Sequence, residues 1–450
     1  MTHTLFCFAR RAVAAVFLIA ISFVSLGAQN VFKSIEKEGI SFSQKAIYEP
    51  QNFAAFQALD AELSTNLRKT IAAGGSFEMP MPSGQYVNVT LKPYRVAESG
   101  FYKKYPSIQT FSFSDRSGEV NGFGSMSEKG LHVVGRCSEG QFYIDPTDKS
   151  QDKKTYAAYY RADYQLPEGV IPSRCEKEEI LDEVEEPGPT LADAAAKSAA
   201  SKSRPPLRQY DFAVATTGEY AQYHGGTKAD VAAELVNLMV RVNEVMRREY
   251  SVEYILIEET DTLFFLDPET DGFTNGNTSV LINQVDVTIG NLIDVNAYDL
   301  GHILCTQYGG LASVSSVCSD LRKRNGVSCG DNPIGDRFYV ELVCHEVGHQ
   351  MGSRHSFNHC RGVNENPLTG FEPGSGTTIM AYSGLCGGNN VSTVTSPYYN
   401  IGSIEAITAY MHEGNGARCA EETERPGQIP TLSFDFDTDN PTVIPGSTPF

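Results

Sequence analysis

The chain has 450 residues, 41% hydrophobic and 20% charged, which is apolar material for two domains with cores of their own and excludes a disordered chain. Acidic side chains number 55 against 36 basic ones, a net charge of −19, and this balance excludes the basic face that nucleic acid or an anionic membrane surface requires.

At the start, Arg10 and Arg11 precede an apolar run from Ala12 to Leu26 that closes on Gly27 and Ala28. This predicts a cleaved secretory signal over 1–28, since the run is short for a membrane span and no stop-transfer flank follows. An N-terminal anchor helix is the competing reading, and nothing later in the chain is apolar enough to span. Of the 10 cysteines, Cys7 leaves with the signal and an odd number remains. In an oxidising compartment most of these belong in disulfides, with at least one thiol left over.

Residues 29–186 predict a β-rich first domain, from short alternating segments such as Tyr86 to Leu91 and Gln109 to Phe113 broken by Gly, Pro and Ser. An acidic run from Glu176 to Glu186 closes it. The Pro-, Ala-, Ser- and Lys-rich stretch 187–206 reads as a protease-exposed linker. From 207 to 424 the order becomes α/β: a strand at Tyr210 to Ala215, a helix from Thr227 to Tyr250 with Val231, Leu235, Leu238, Val242 and Val245 at helical spacing, and a strand at Val252 to Ile257. Further helices are predicted over Phe338 to Met351, stopped by Gly352, and over Ile404 to Met411. Residues 425–450, rich in Pro, Thr and Asp, read as a linker or the opening of another module.

The informative string runs from His345 through Glu346, His349 and Gly352 to His355. On a helix, His345 and His349 stand one turn apart on one face, close enough for two imidazole nitrogens to share an ion. Glu346 beside them is placed to take a proton from water and return it to a leaving amine. Gly352 lets the chain leave the helix and bring His355 back as a third ligand. Three protein ligands leave one position open, the mark of a catalytic zinc site. The competing reading, ordinary core or surface histidines, requires three His, one Glu and one Gly to fall at these offsets by chance.

The string, followed by Met380 in Thr378-Ile379-Met380-Ala381-Tyr382, resembles the metzincin metallopeptidases with their Met-turn. Tyr298-Asp299-Leu300-Gly301-His302, Gly309-Gly310-Leu311-Ala312 and Glu372-Pro373-Gly374-Ser375-Gly376 narrow the resemblance to the reprolysin-like (adamalysin-like) group of secreted bacterial proteins, over roughly Arg208 to Cys419. The resemblance implies an α/β catalytic domain with a twisted mixed sheet, one catalytic zinc, and protein or peptide substrates. It also implies that Met380 floors the site and that Gly301, His302, Ile303 and Leu304 form the sheet edge on which extended substrate docks. It pairs Cys318 with Cys419 and Cys360 with Cys386, leaving Cys305, Cys329 and Cys344 unassigned, with Cys344 read as a buried thiol. Two features depart from the adamalysin pattern. Ser356 stands where Asp is usual, as in matrixins, and Tyr382 stands where astacins place a fifth ligand; a transition-state role and a structural role for Tyr382 both remain open.

Latency has two readings. In the zymogens this chain resembles, a propeptide cysteine sits on the zinc, and Cys175 in Pro172-Ser173-Arg174-Cys175 is placed for that; a Cys137–Cys175 disulfide is the alternative. Cleavage after Lys202 or Arg208 would then release the first domain. His224, His302 and His359 read as structural or surface residues. Asp267-Pro268-Glu269-Thr270-Asp271-Gly272 offers carboxylates for calcium, against the plainer reading of an acidic turn. As a whole the sequence points to a secreted endopeptidase made as a zymogen. A matrixin- or pappalysin-type enzyme and a zinc domain serving as an adhesion scaffold are the alternatives, and Glu346 argues against the scaffold because a scaffold has no use for a base.

Overall fold

A computed structural model describes residues 31–425, apart from 39, 41, 43–49, 59–61, 148–154, 164–204, 308 and 361–364. The expected signal, Cys175, Lys202, the linker as far as Arg204 and residues 426–450 lie outside the described residues.

The first unit is a nine-stranded antiparallel sheet in the order β1-β2-β9-β8-β7-β6-β5-β4-β3. Its strands are β1 (Phe32–Ile35), β2 (Ala54–Ala58), β3 (Ser76–Pro80), β4 (Tyr86–Pro93), β5 (Gln109–Ser114), β6 (Asn121–Ser127), β7 (Gly130–Cys137), β8 (Gly140–Pro146) and β9 (Thr155–Tyr160). Helix α1 (Glu62–Ala73) packs beside β3 and β4, and α2 (Ser99–Lys104) joins β4 to β5. Alternate residues Phe56, Leu91, Phe111, Phe113, Val133, Phe142, Ile144 and Ala158 bury themselves in one apolar cluster. Their neighbours Val134, Tyr143, Ala157 and Tyr159 point to the opposite face and belong to the core of the second unit.

That second unit follows the α/β order read from the sequence. Strand β10 (Leu207–Thr216) pairs in parallel with both β11 (Val252–Leu256) and β12 (Leu300–Cys305); β12 pairs in parallel with β14 (Gly326–Cys329), and β13 (Gly309–Ala312) closes the sheet antiparallel to β14. Helix α3 (Gly218–His224) and the long α4 (Lys228–Tyr250) connect β10 to β11. The Thr227 hydroxyl accepts the amide of Asp230 at 3.1 Å and so starts α4, and Ser251, at φ 55°, ends it. Helix α5 (Thr278–Leu292) covers the other side of the sheet with Leu281, Ile282, Val285 and Ile289.

The expectation that Gly301 to Leu304 forms the sheet edge is corrected. These residues lie in β12, hydrogen-bonded on both sides, with Ala213 opposite Gly301 and Val327 opposite Ile303. The edge is β13, because β14, later in the chain, inserts between β12 and β13 and pairs antiparallel with β13, leaving Gly309–Ala312 outermost.

Segments Gly335–Phe338, Tyr339–Val343 and Cys344–Gln350 run on as one helix, α6, whose middle turn is wound wide as a π-helix. A last helix, α7, is built in the same way from Ile401–Thr408 and Ala409–Glu413. Disulfides Cys318–Cys419 and Cys360–Cys386 are present as the resemblance implied, and Cys305–Cys329 staples β12 to β14. Among the described residues Cys137 and Cys344 are free thiols, Cys344 buried. Arg208 is a poor cleavage point: it is buried inside β10, bonded to the Met411 carbonyl and paired with Glu422.

Candidate metal centre

Helix α6 carries His345, Glu346 and His349 on one buried stretch. It stops at Gly352, whose φ of 107° is open to glycine and strained for other residues. The amide of Ser353 then bonds back to the Gly348 carbonyl at 2.9 Å. This reversal brings His355 to the helix, and its Nε2 lies 3.2 Å from Nε2 of His349. Ligand atoms of His345, His349 and His355 all fall within 4.8 Å of one another, and all three residues are buried.

Two of the three imidazoles have their tautomer set by main-chain acceptors. Nδ1 of His345 donates to the Ile379 carbonyl at 2.7 Å, and Nδ1 of His349 donates to the Ser353 carbonyl at 2.8 Å. The Nε2 lone pairs are therefore turned toward the shared space. Nε2 of His345 is fully buried and has no hydrogen-bond partner. Burial pushes the His345 pKa down to about 4, and burial together with its His355 and His345 neighbours pushes His349 well below the ordinary histidine value. Neutral imidazole is the ligating form. A tetrahedral zinc with bonds of 2.0–2.1 Å separates two ligand nitrogens by about 3.3 Å, which matches the His349–His355 spacing. Three imidazole nitrogens, an orphaned acceptor and a ligand-like spacing fit zinc.

The Glu346 carboxylate is fully buried on the same helix. A Cβ built on Gly310 would come within 1.9 Å of its Oε1, so the β13 backbone lies directly against the carboxylate. Nothing in the sequence around Gly310 marks it for this contact, because nothing local says which strand crosses the helix.

Met380 is completely buried, and its sulfur packs on Gly348, where a Cβ would stand only 2.6 Å from it. The glycine between the two helical histidines is thus the space the Met side chain fills. Tyr382 is also buried, its ring stacked on Phe357 with centroids 4.3 Å apart and 4.9 Å from the His355 ring. It forms part of the wall around the third histidine.

Glu372 has a role that only the folded chain displays. Its buried carboxylate accepts the amides of Thr377 at 2.8 Å and Thr378 at 3.1 Å, and the hydroxyls of Ser356 and Thr378. Its own amide bonds to the Ser356 carbonyl at 2.7 Å, and the Ser356 amide bonds to the Met380 carbonyl at 3.0 Å. One carboxylate therefore joins the residue after His355 to the turn carrying Ile379, the acceptor of His345. Where Asp is usual at the position of Ser356, the negative charge here arrives from 16 residues further along the chain.

The other histidines serve the scaffold. His302 is buried between Gln350, 3.0 Å from Nδ1, and Ser328, 2.9 Å from Nε2, and burial lowers its pKa to about 4. His224 packs against the Tyr220 ring, and the His359 carbonyl accepts from Asn389. In the acidic loop, Asp267 accepts from the Glu269 amide and the Thr270 hydroxyl, while Asp271 accepts from the amides of Gly218 and Phe273. These carboxylates are turn acceptors.

No described helix is long and apolar enough to cross a membrane. No curated protein matches the chain. Residues 207–410 match the family model described as metallo-peptidase family M12B, reprolysin-like. These residues, which carry the buried histidine triad in an α/β domain, are a reprolysin-like metallopeptidase domain, a hydrolase of peptide bonds in a family that uses zinc.

Proposed function

We propose that this protein is a secreted endopeptidase, made as a zymogen, in which His345, His349 and His355 hold one zinc and Glu346 is the general base. The observation that carries the reading is the orphaned Nε2 of His345 beside two Nε2 atoms 3.2 Å apart, with a buried carboxylate one residue away. Zinc, when bound, supplies the Lewis acidity that attack of water on a peptide carbonyl needs. The chain's own part is to orient and to move a proton: Glu346 accepts it from the attacking water and delivers it to the departing amine. Burial holds the imidazoles of His345 and His349 neutral, and the main-chain acceptors at Ile379 and Ser353 aim them. Extended substrate adds alongside β13, the sheet edge, which places its backbone next to Gly310 and the Glu346 carboxylate.

Secretion is supported by the sequence of residues 1–28 and by three disulfides among the described residues. Latency through Cys175 remains the reading of the sequence around it. The test of the site is Glu346→Ala: zinc content should stay at one per chain while peptide hydrolysis falls about 10²–10⁴-fold. Full activity in that variant would refute the role of Glu346. Full-length Cys175→Ser should show activity or self-cleavage without added protease, and unchanged latency of that variant together with a mapped Cys137–Cys175 disulfide would refute the switch.

A further inference from the structure

We infer that the first β-sheet unit is a permanent partner of the peptidase unit, and that cutting the chain between them leaves the two halves bound as one two-chain protein. The inference rests on the proposed zymogen reading only in supposing that the connecting stretch is cut.

The argument begins in the strands. A removable domain with a wet outer face would alternate apolar and polar residues, yet the central strands of this sheet are apolar on both faces. In β8, Phe142 and Ile144 fill the first unit's own core while Tyr143 between them lies in the peptidase core; in β9, Tyr156 and Ala158 do the former, Ala157 and Tyr159 the latter. The sequence has thus invested both faces of one sheet in burial, one of them against helix α4.

Helix α4 is the reciprocal surface. Every residue from Val231 to Met246 is buried. Such burial on all sides is a core helix, flanked on both sides. Asn237, Arg241 and Glu244, at helical spacing on one stripe, are bonded across to the first unit, to Ser125, Asp145 and Arg136 respectively. Asp336, at the start of α6 and 1% exposed, accepts from the Tyr143 hydroxyl and pairs with Arg161 and Arg241. Separation would strip two of those three partners from a buried carboxylate. Backbone pairing adds a third contact. The Leu256 amide bonds to the Val96 carbonyl and the Glu98 amide to the Leu256 carbonyl, both at 2.9 Å, so Val96–Glu98 covers the β11 edge of the peptidase sheet.

These contacts fall on α4, the β11 edge, Asp336 and, through Arg136 and Arg161, on Tyr398 and Thr395. Among the described residues they leave β13 as the sheet edge beside Glu346. Departure of the first unit is therefore not what access to that edge requires, and the expectation that cleavage releases it is replaced by one in which only the connecting stretch changes.

The test is to place a site-specific protease sequence within residues 187–200 of the full-length protein, cut it, and follow the fragments by size-exclusion chromatography and hydrogen exchange. Both fragments should elute together at the mass of the uncut chain and part only in denaturant, and the amides of residues 231–246 should stay protected after the cut. A peptidase fragment that elutes alone in native buffer, or loss of that protection, overturns the inference. Val134→Lys, on the face turned to α4, should weaken the association so that the cut halves separate at low micromolar concentration. If that variant does not fold, the result with the wild-type interface still decides. A cut species that stays together but gains no activity supports the inference and refutes activation by cleavage in the linker.

Discussion

Replacing Glu372 tests whether a carboxylate distant in sequence holds the metal site in shape. In Glu372→Gln the amide oxygen can keep the Thr377 and Thr378 amides, and its NH₂ can donate to the hydroxyls of Ser356 and Thr378 once these rotate, so shape is preserved and only charge assistance is lost. Charge-assisted bonds are worth about twice neutral ones, and losing that difference over four contacts costs about 2–3 kcal/mol. Glu372→Ala removes the acceptor altogether and leaves two amides of a buried turn to find water, at a cost of about 4 kcal/mol or more. The Ile379 carbonyl that orients His345 belongs to the same turn, so zinc should be released faster in the order wild type, Gln, Ala. Urea unfolding of the zinc-free protein reads the stability, and transfer of zinc to a chromogenic chelator reads the release. Equal stability within about 0.5 kcal/mol and equal release in all three proteins would show that the carboxylate does no positioning.

Two further outcomes follow from single contacts. Gly310→Ala puts a Cβ into the Glu346 carboxylate, so kcat/KM for peptides should drop by at least about tenfold, on the order of 1.4 kcal/mol, while zinc content measured by mass spectrometry stays at one per chain. Unchanged kinetics would place Glu346 away from β13. For His302 the folded pKa of about 4 lies below the unfolded value near 6.5, so the unfolded chain binds the extra proton first and stability falls as pH drops from 6.5 toward 4, by up to about 3 kcal/mol. His302→Gln should flatten that part of the urea-midpoint profile between pH 7 and pH 4.5; an identical acid slope would assign the loss to other groups.

The sequence alone determined whatever depends on spacing along one element. Residues one helical turn apart meet on one face whatever surrounds them, so His345, Glu346 and His349 were legible, and Gly352 marked where the chain must turn to bring His355 back. The long helix after Thr227 and the alternation in β4 and β5 were legible for the same reason. The order of strands was not, because a strand's period says which side chains share a face and nothing about its neighbours. Thus Gly301 to Leu304 read as an edge and proved interior, while Gly309–Ala312 took the edge beside Glu346. Tertiary structure also decided Glu372, whose acceptor contacts come from three separate positions, Ser356, Thr377 and Thr378, and Gly348, which is a cavity for Met380 before it is a helix residue. The doubly apolar strands β8 and β9 carried a trace of their second partner in the sequence, but only packing against α4 identifies what covers them, since burial is a property of two surfaces and the sequence lists one at a time.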